Sequence, residues 1–512
     1  MPRRFRLLII AMVLPLGAAA ACRSTPAERP PGYLVAAVES YPLAIDPRYS
    51  TDANSVRIGN LIYNSLLRAD ENLALQPELA ADWRRLDERT YFFRLRDNVR
   101  FHNGQPLTAA DVKYTYDSIL DPGRRSPKRG SLKHLAAVEQ ASRNELLFRL
   151  DAPHAPFVEQ FTMGIVPAGV PNGSYPPPGS GPFMLQSMDP GEKLVLRANP
   201  NYWEGQPTLA GLVFKNVPDA IVRVLEFKRG AVDFVQNDLE PDVLPWIRAN
   251  AAADIIVRPG TIYQYIGINL THPILKRLKV RQALALAIDR ESIIRHLLKG
   301  MGQAANGVVA PGNWAHDAED ARLQSWPYAP ERAKRLLDEA GCVDPDGDGP
   351  RPRFRLSFKT TNIELRRRIA EAFKEQLRQV GVELEIRSYE WGTFYSDVKK
   401  GNFHLYSLAW VGVTDPDVHY QLFHSASTPP NGDNRGRYSN AEVDRLLELG
   451  RVTFDQAARK QIYRRIQGIL AYELPYVPLW WWKNVVVKKP ALEGFVPYPD
   501  GELVSFKKAS LR

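Results

Sequence analysis

The residues best suited to chemistry form a short group late in the chain. Asp415 and Asp417 are followed by His419 and His424, and carboxylates with imidazoles at close spacing could bind a divalent metal. The two acids could also serve a hydrolase, which needs paired carboxylates at a fixed separation. Loop acids with two unaligned histidines are more often surface groups and a buried core histidine. The pattern therefore predicts no metal site.

A second possible metal site is the acidic run from Asp344 to Gly349. It satisfies positions one, three, five and six of an EF-hand calcium loop, but position twelve is Arg355. A cation at that position removes the bidentate carboxylate and repels the ion. The run is therefore predicted to be a polar turn before a strand at 354–358, and no cofactor is expected.

Motifs for familiar catalytic sites are missing from the chain. It contains no GxSxG, HExxH, GxxxxGK[ST] or GxGxxG pattern. Its two cysteines, Cys22 and Cys342, are too few for a disulfide framework or a four-cysteine zinc site. These absences favour a binding protein over an enzyme.

Tryptophans are the remaining candidates for ligand contact. Trp391, Trp410 and the run Trp480–Trp482 could line a pocket, because flat, rigid side chains lose little rotamer entropy on binding. Core packing is the alternative interpretation for each of them.

The amino terminus is typical of an export signal. Arg3, Arg4 and Arg6 precede an uncharged stretch from Leu7 to Ala21, which predicts a signal peptide at residues 1–21. Cys22 follows three alanines and resembles the lipidated cysteine of a bacterial lipobox, although Ala19 stands where the usual pattern has Leu. Cleavage after an Ala-x-Ala site without lipidation stays open. Residues 22–32 are predicted to be a lipid-anchored tether, which implies an extracytoplasmic protein attached to a membrane.

Composition supports a soluble, exported body. The chain has 512 residues with 44% hydrophobic and 24% charged residues, as ordinary globular proteins do. Its formal charge is +10, and removal of the three signal-peptide arginines leaves about +7, with basic and acidic residues interleaved. Neither this mild charge nor export favours a nucleic-acid partner.

Periodicity predicts intermixed strands and helices, the pattern of an α/β protein. The predicted strands lie at 33–38, 90–95, 183–188, 193–197, 263–270 and 382–386. The predicted helices lie at 55–70, 111–120, 220–229, 280–298 and 364–380. A Pro/Gly-rich segment at 171–182 predicts a domain boundary.

Short motifs in a fixed order identify a family. They are LAADW at 79–83, LRDNVRFHNG at 95–104, LTAADV at 107–112, GSGPF at 179–183, NYW at 201–203, GAVD at 230–233, VRQAL at 280–284, AIDR at 287–290 and LPYVPL at 474–479. Together they resemble the family 5 extracellular solute-binding proteins of ABC importers, which include oligopeptide-, dipeptide- and nickel-binding proteins.

The resemblance implies a two-lobed clamshell of the type II periplasmic binding proteins, with an extra domain inserted in lobe one. Lobe one would combine 33–50, 179–268 and 486–512, the inserted domain would be 51–178, and lobe two would be 269–485. Strands near 265–270 and 478–484 would be the hinge. A monomer of this kind would capture a peptide or similar solute and deliver it to a permease and ATPase complex.

The resemblance also suggests ligand contacts. In peptide-binding relatives a loop after the first strand touches the ligand, matched here by Thr51, Asp52 and Ala53, and so does a segment of lobe two. That segment is matched by Ala409, Trp410, Val411 and Gly412.

One departure from the family pattern bears on the ligand. The relatives have an aspartate three residues after the tryptophan that pairs with the peptide's amino terminus, but here the position is Val413. Asp415 and Asp417 are candidates to replace it, and a role in shaping the loop is equally open.

Two other functions are compatible with the same residues. One is a secreted hydrolase that uses Asp415 and Asp417, and the other is a sensory or chaperone lipoprotein with no transport partner. Turnover of a substrate panel would favour the first, and a gene neighbourhood without permease genes would favour the second.

Overall fold

The structure is a computed structural model that describes residues 30–170, 176–237, 239–316, 326–347 and 349–512. The predicted signal peptide, Cys22 and most of the tether lie outside the described residues, as do 171–175 of the predicted boundary segment. Residues 32–512 form one compact unit, to which all the following features belong. No helix in the described part of the chain is long and apolar enough to cross a membrane.

Strands and helices alternate along this unit. The strands are β1 (Tyr33–Val38), β2 (Leu67–Ala69), β3 (Leu75–Pro77), β4 (Ala80–Arg85), β5 (Thr90–Leu95), β6 (Leu135–Gln140), β7 (Glu145–Leu150), β8 (Phe183–Asp189), β9 (Lys193–Ala198), β10 (Gly211–Asn216), β11 (Phe234–Gln236), β12 (Asp254–Ile268), β13 (Gly302–Ala304), β14 (Phe354–Thr361), β15 (Val382–Tyr389), β16 (Leu405–Trp410), β17 (Tyr476–Lys488), β18 (Leu492–Glu493) and β19 (Ser510–Leu511). The helices are α1 (Ala53–Ile62), α2 (Ala109–Leu120), α3 (Ala220–Lys228), α4 (Val243–Asn250), α5 (Leu278–Ala287), α6 (Arg290–His296), α7 (Pro330–Glu339), α8 (Glu364–Arg378), α9 (Trp391–Lys400), α10 (Val418–Phe423), α11 (Ala441–Val452) and α12 (Gln456–Glu473).

One large sheet runs through the unit, in the order β15-β14-β16-β12-β17-β11-β1-β10-β9-β8, with β13 beside β17. Apolar clusters cover both of its faces. Along β1, for example, Leu34 and Ala36 join one cluster while Val35 and Ala37 join another. Burial on both faces explains why this strand is an unbroken apolar run.

Two long antiparallel strands, β12 and β17, join the two halves of this sheet. The first part of β12 pairs with the end of β17 beside β11, whereas Tyr263–Ile268 pairs with β16 and the start of β17. The pairing shifts register between Arg258 and Ile262. The change from one half to the other therefore lies a few residues earlier in β12 than the segment 265–270 suggested by sequence.

A separate four-stranded sheet, in the order β4-β5-β7-β6, lies within the predicted inserted domain. With α2 it encloses its own apolar core, which runs from Leu66 to Ile165. Helix α1 is also within the predicted domain, but its Ile58 and Leu61 pack into the core beneath β1. The proposed division at residue 51 stays a prediction, and the apolar contacts favour a boundary nearer 66.

Two predicted helices differ from the structure. The helix expected at 55–70 ends at Ile62, because Tyr63 is extended and the chain continues into β2. The helix expected at 280–298 is interrupted at Ile288, where Asp289 starts a new helix by accepting a hydrogen bond from the Ser292 amide (2.9 Å). The predicted strands at 33–38 and 90–95 are confirmed.

Candidate functional site

Two cavities lie on either side of helix α1, and only the first is lined by strands of the large sheet. The first, about 610 Å³, we name the basic cavity; it is lined among others by Ala53, Arg57, Arg366, Ala409, Trp482 and Lys483. The second, about 550 Å³, we name the acidic cavity; it is lined among others by Thr51, Lys128, Glu159, Thr414, Asp500 and Glu502. Both volumes suit small-ligand sites. Helix α1 and the segment after β16 contribute to both cavities.

The predicted loop before α1 divides its residues between the two cavities. The exposed Thr51 lines the acidic cavity and the exposed Ala53 lines the basic one. Asp52 caps α1 instead, because its carboxylate accepts hydrogen bonds from the amides of Ser55 (2.9 Å) and Leu43 (3.3 Å). Asp52 therefore holds the loop that presents its two neighbours.

The second predicted segment alternates between the cavity and the core. Ala409 and the exposed Val411 line the basic cavity, and Gly412 is exposed beside them. Trp410 points the other way, as the alternation of a strand requires, and its ring stacks on Tyr265 with centroids 6.3 Å apart. Trp410 lines neither of the two cavities, and its Nε1 is buried without a hydrogen-bond partner among the described residues.

Both candidate replacements for the missing aspartate are bound to arginines. Asp415 receives two hydrogen bonds of 2.7 Å from Arg459, and Asp417 receives two of 2.8 Å from Arg451. Val413 itself is buried in the core. Bidentate pairing satisfies both carboxylates and fixes the loop. This geometry favours the loop-shaping interpretation over contact with a ligand or a hydrolase role.

Among the other tryptophans, Trp482 lines the basic cavity and Trp391 lines neither of the two cavities. Trp391 is 54% exposed at the start of α9 and stacks on Tyr395, away from both cavities. In the run 480–482, alternation buries the first two rings in opposite clusters, whereas Trp482 lines the basic cavity. Its Nε1 donates to Gln264 (3.2 Å), which also accepts from Arg366 (2.6 Å).

The acidic cavity contains functional candidates that the sequence did not indicate. Glu159 comes from the segment after β7 and accepts a hydrogen bond from Thr414 Oγ1 (3.2 Å) across the cleft. Burial, with repulsion from Asp415, raises its pKa to about 7. Burial also raises the pKa of Glu502 and of Asp500, near the carboxyl terminus. Perturbed carboxylates in a cleft are a mark of functional sites.

Cations are also present in the acidic cavity. Burial lowers the pKa of Lys128 to about 8, and its Nζ donates to Ser50 Oγ (3.3 Å). Arg68 is paired with Glu78 at 2.8 Å. Glu159 and Glu502 have no ion-pair partner within 4 Å in the described part of the chain.

The basic cavity shares a wall with the acidic one. Arg57 lines the basic cavity, and its Nη2 donates to the backbone carbonyl of Asp500 (3.1 Å) in the acidic cavity. Lys483 Nζ has no partner among the described residues. No sequence motif could have found these residues, since they lie on segments far apart in the chain.

The two histidines considered as metal ligands each have a ring nitrogen within hydrogen-bond distance of the backbone. His419 is buried with its Nδ1 2.8 Å from the Pro416 carbonyl, and burial lowers its pKa to about 4. His424 Nδ1 accepts from the Ala426 amide (3.1 Å). No cluster of three or more potential metal ligands occurs within the described ranges.

The acidic run at 344–349 forms a turn. Asp344 Oδ1 accepts hydrogen bonds from the amides of Asp346 (3.1 Å) and Gly347 (2.9 Å), and Asp348 lies outside the described residues. Arg355 is paired with Glu383 at 2.6 Å. Nearby, Cys342 is a buried free cysteine whose Sγ accepts a hydrogen bond from Arg277 Nη1 (3.7 Å).

Known proteins resemble this chain over most of its length. The sequence-family model for the middle part of the bacterial extracellular solute-binding proteins of family 5 matches residues 74–432. The oligopeptide-binding protein AppA of Bacillus subtilis is 30% identical over 499 residues, covering 93% of this chain and 91% of AppA. A probable di/tripeptide-binding protein of Pseudomonas aeruginosa is 28% identical over 488 residues, covering 89% and 91%. The structure of AppA with a nonapeptide superimposes with a TM-score of 0.77 at 29% identity, covering 94% and 98%.

Proposed function

The chain belongs to the bacterial extracellular solute-binding proteins of family 5, and from this premise we propose that it captures peptides between its two lobes for delivery to an ABC importer. The family supplies the two-lobed α/β fold and the role of substrate-binding component, as the sequence predicted. Peptide as the solute class is supported by AppA, an oligopeptide-binding protein, and by the Pseudomonas relative, a probable di/tripeptide-binding protein.

One observation in the structure carries the proposal most directly. Ala53 and Ala409, from the two segments that the family resemblance assigned to ligand contact, line the same cavity from opposite halves of the sheet. A solute held there would touch both halves, so its binding would favour a closed arrangement. β12 and β17 are the connections about which such closure would turn.

The pairing of β12 and β17 favours limits of lobe one that differ slightly from the limits expected from the sequence. Lobe one would end near 258–262, where β12 changes partners, and β17 would return to it near Asn484. The inserted domain would begin near Leu66, where its own apolar core begins. Limited proteolysis with and without peptide would test these limits, because cuts should fall at such boundaries.

We also propose that Cys22 is lipidated and that the mature protein is an anchored monomer. The support is the sequence pattern alone, which places the cysteine directly after a short apolar stretch. Mass spectrometry of the protein from its own host would show a diacylated amino-terminal Cys22 with residues 1–21 removed. A free amino terminus at residue 22 would contradict the anchor, and a Cys22→Ala variant is the matched control.

Peptide capture can be tested without knowing the sequence of the ligand. The purified chain is mixed with a pool of short synthetic peptides, separated by gel filtration, and the retained peptides are identified by mass spectrometry. Retention of unchanged peptides and a rise in melting temperature with the recovered ones are expected. Retention of none by a folded protein would contradict the peptide assignment, and cleaved products would favour the hydrolase alternative.

A further inference from the structure

The predicted inserted domain touches the predicted lobe two through residues that do not line the basic cavity. The short 3₁₀ helix Ala155–Thr162, which follows β7, lies against α11. Its Glu159 Oε2 accepts a hydrogen bond from Thr414 Oγ1 (3.2 Å), and Arg85 at the end of β4 lies 4.1 Å from the centre of the Phe454 ring. We name these two contacts the side contact. They join parts of the chain that would move apart if the cleft opened about β12 and β17.

Glu159 is the titratable group at the centre of the side contact. Burial, with repulsion from Asp415, raises its pKa to about 7, against the smaller opposing effects of the Thr414 hydrogen bond and of Arg459. Arg459 is already bound to Asp415 by two hydrogen bonds of 2.7 Å. A hydroxyl can donate to a carboxylate or accept from a protonated carboxyl, so the Thr414 contact also suits the protonated form. Lobe two therefore supplies groups that favour a proton on Glu159.

Other ionisable groups lie near Glu159 and near the start of its helix. The other charged residues that line the acidic cavity with it are Arg68, Glu78, Lys128, Asp500 and Glu502. His154 directly precedes the helix, and burial lowers its pKa to about 3. The ionisable neighbours that contribute to this shift are His134, Arg451, Lys133 and Arg459. The buried His154 is thus neutral, and its titration acts in the opposite direction to that of Glu159.

We propose that the side contact is a second closing surface of the protein, outside the basic cavity, and that closure on a peptide takes up a proton at Glu159. The proposal rests on the proposed peptide function and adds a dependence of capture on pH. When the cleft opens, Thr414 and Asp415 leave Glu159 and water reaches its carboxyl group. Closure then requires an ionised Glu159 to lose its hydration beside Asp415, whereas a protonated Glu159 closes without this cost.

The sign of the pH dependence follows from the two states of Glu159. In the closed form its pKa is about 7, and in the open, hydrated form it is near the ordinary value of about 4.3. Between these values the closed form retains a proton that the open form has lost. The contribution of Glu159 to peptide affinity therefore falls as the pH rises from about 4 to about 7, and it is constant above that range.

The test is calorimetry between pH 5 and pH 8 with one peptide recovered from the capture experiment. Glu159→Gln is compared with the unmodified protein, because titration of the peptide termini and of His154 then cancels. The affinity of the unmodified protein should fall by about ten-fold or more relative to that of Glu159→Gln over this range. Titrations in buffers of different ionisation enthalpy count the protons taken up. Near pH 6 the unmodified protein should take up close to one proton more than the variant, and almost none more at pH 8.

Two further variants separate the proton from the hydrogen bond. Glu159→Met is a second neutral replacement and should abolish the same part of the pH dependence, although it cannot bind Thr414. Thr414→Val keeps the shape of the side chain and removes the hydroxyl from lobe two. It should weaken binding by about three-fold or more at pH 5 and retain the pH dependence. Unchanged affinity in Thr414→Val would overturn the part of the proposal that concerns Thr414.

Glu88→Gln is the matched control, because Glu88 is an exposed carboxylate of the same predicted domain, between β4 and β5. It should leave the affinity and the proton uptake unchanged at every pH. Equal pH dependence and equal proton uptake in the unmodified protein and in Glu159→Gln would overturn the proton-dependent closure and leave the peptide function intact. A folded protein that binds no pool peptide at any of these pH values would overturn the peptide function, and this proposal with it.

Discussion

Glu159 should make the stability of the unliganded protein depend on pH. Its pKa is about 7 in the folded chain and near 4.3 in an unfolded one, so the folded state retains a proton that the unfolded state has lost between these values. The contribution of Glu159 to the free energy of unfolding therefore falls as the pH rises from about 4 to 7. Glu159→Gln should raise the free energy of unfolding by about 1–3 kcal/mol at pH 8 and change it little at pH 4.

Urea denaturation at the two pH values measures this difference. Buried histidines also lower the stability of the protein in acid; burial lowers the pKa of His102, for example, to about 4. This contribution is the same in the unmodified protein and in Glu159→Gln, so it cancels when the two are compared. Glu371→Gln is the control, because it changes a carboxylate of 64% exposure on α8 outside both cavities, and it should show no pH-dependent difference. An equal effect of Glu159→Gln at both pH values would show that the carboxylate is not desolvated.

Trp410 is a residue whose replacement should act mainly through packing. Its ring stacks on Tyr265, and Arg435 lies over it at 4.9 Å, so truncation would leave a cavity beside a buried guanidinium. Trp410→Ala should lower the free energy of unfolding by about 3 kcal/mol, whereas Val411→Ala should weaken peptide binding with little loss of stability. A loss of affinity in Trp410→Ala with unchanged stability would instead support the direct ligand contact predicted from sequence.

The sequence predicted one wall of the site and missed the other. Thr51, Ala53, Ala409 and Val411 belong to segments with recognisable family motifs, and the structure brings them to the cavities. Glu159 and Glu502 carry no local pattern, and they line one cavity only because the segment after β7 and the carboxyl-terminal segment both lie beside it in the folded chain. Their contribution depends on long-range packing that periodicity does not reveal.

At the scale of elements, Gly260 should be needed for the connection between the halves of the sheet. It lies in the register shift of β12, and a Cβ added there would be 2.4 Å from the Trp482 carbonyl oxygen. Gly260→Ala would push β12 from β17, which should cost about 1–3 kcal/mol of stability and weaken peptide binding. Denaturation and calorimetry would measure the two effects.

Gly130→Ala is the matched control, because a Cβ at that position meets nothing within 4 Å. It should leave both stability and binding unchanged. If Gly260→Ala behaved in the same way, the close approach of the two strands would not restrain the hinge.

A helix could be located from the sequence where its apolar residues recur on the one face that packs against the core. The apolar stripe of α8 gave its position within two residues, since Ile369, Phe373 and Leu377 all face the core. The apolar stripe at 280–298 did not reveal the break at Ile288 between α5 and α6. Leu284 and Ile293 belong to different helices but pack into the same apolar cluster, so the spacing of apolar residues continues across the break. A capping aspartate inside an apolar period is the local signal that marks such a break.

At the scale of the whole molecule, charges at the edge of the cleft link the two halves. Asp242, at the start of α4 in the first half, pairs with Lys299 (3.3 Å) and Arg368 (3.2 Å) in the second. The hydrogen bond from Arg368, with a further one from Lys299, lowers the pKa of Asp242. All three side chains are partly exposed, so each pair contributes at most about 1 kcal/mol and can bias closure without locking it.

Replacing Asp242 with lysine should therefore favour separation of the halves. Three cations would then meet at the edge of the cleft, and the closed, peptide-bound arrangement would lose stability relative to the open one. Asp242→Lys should weaken peptide affinity by about three- to ten-fold, through faster dissociation, with a smaller effect at high salt. Asp254→Lys is the matched control, because Asp254 pairs with Lys488 within the first half and its loss places no new repulsion across the cleft. Stopped-flow dissociation rates that rise equally in both variants, or in neither, would show that the paired charges of Asp242 do not stabilise closure.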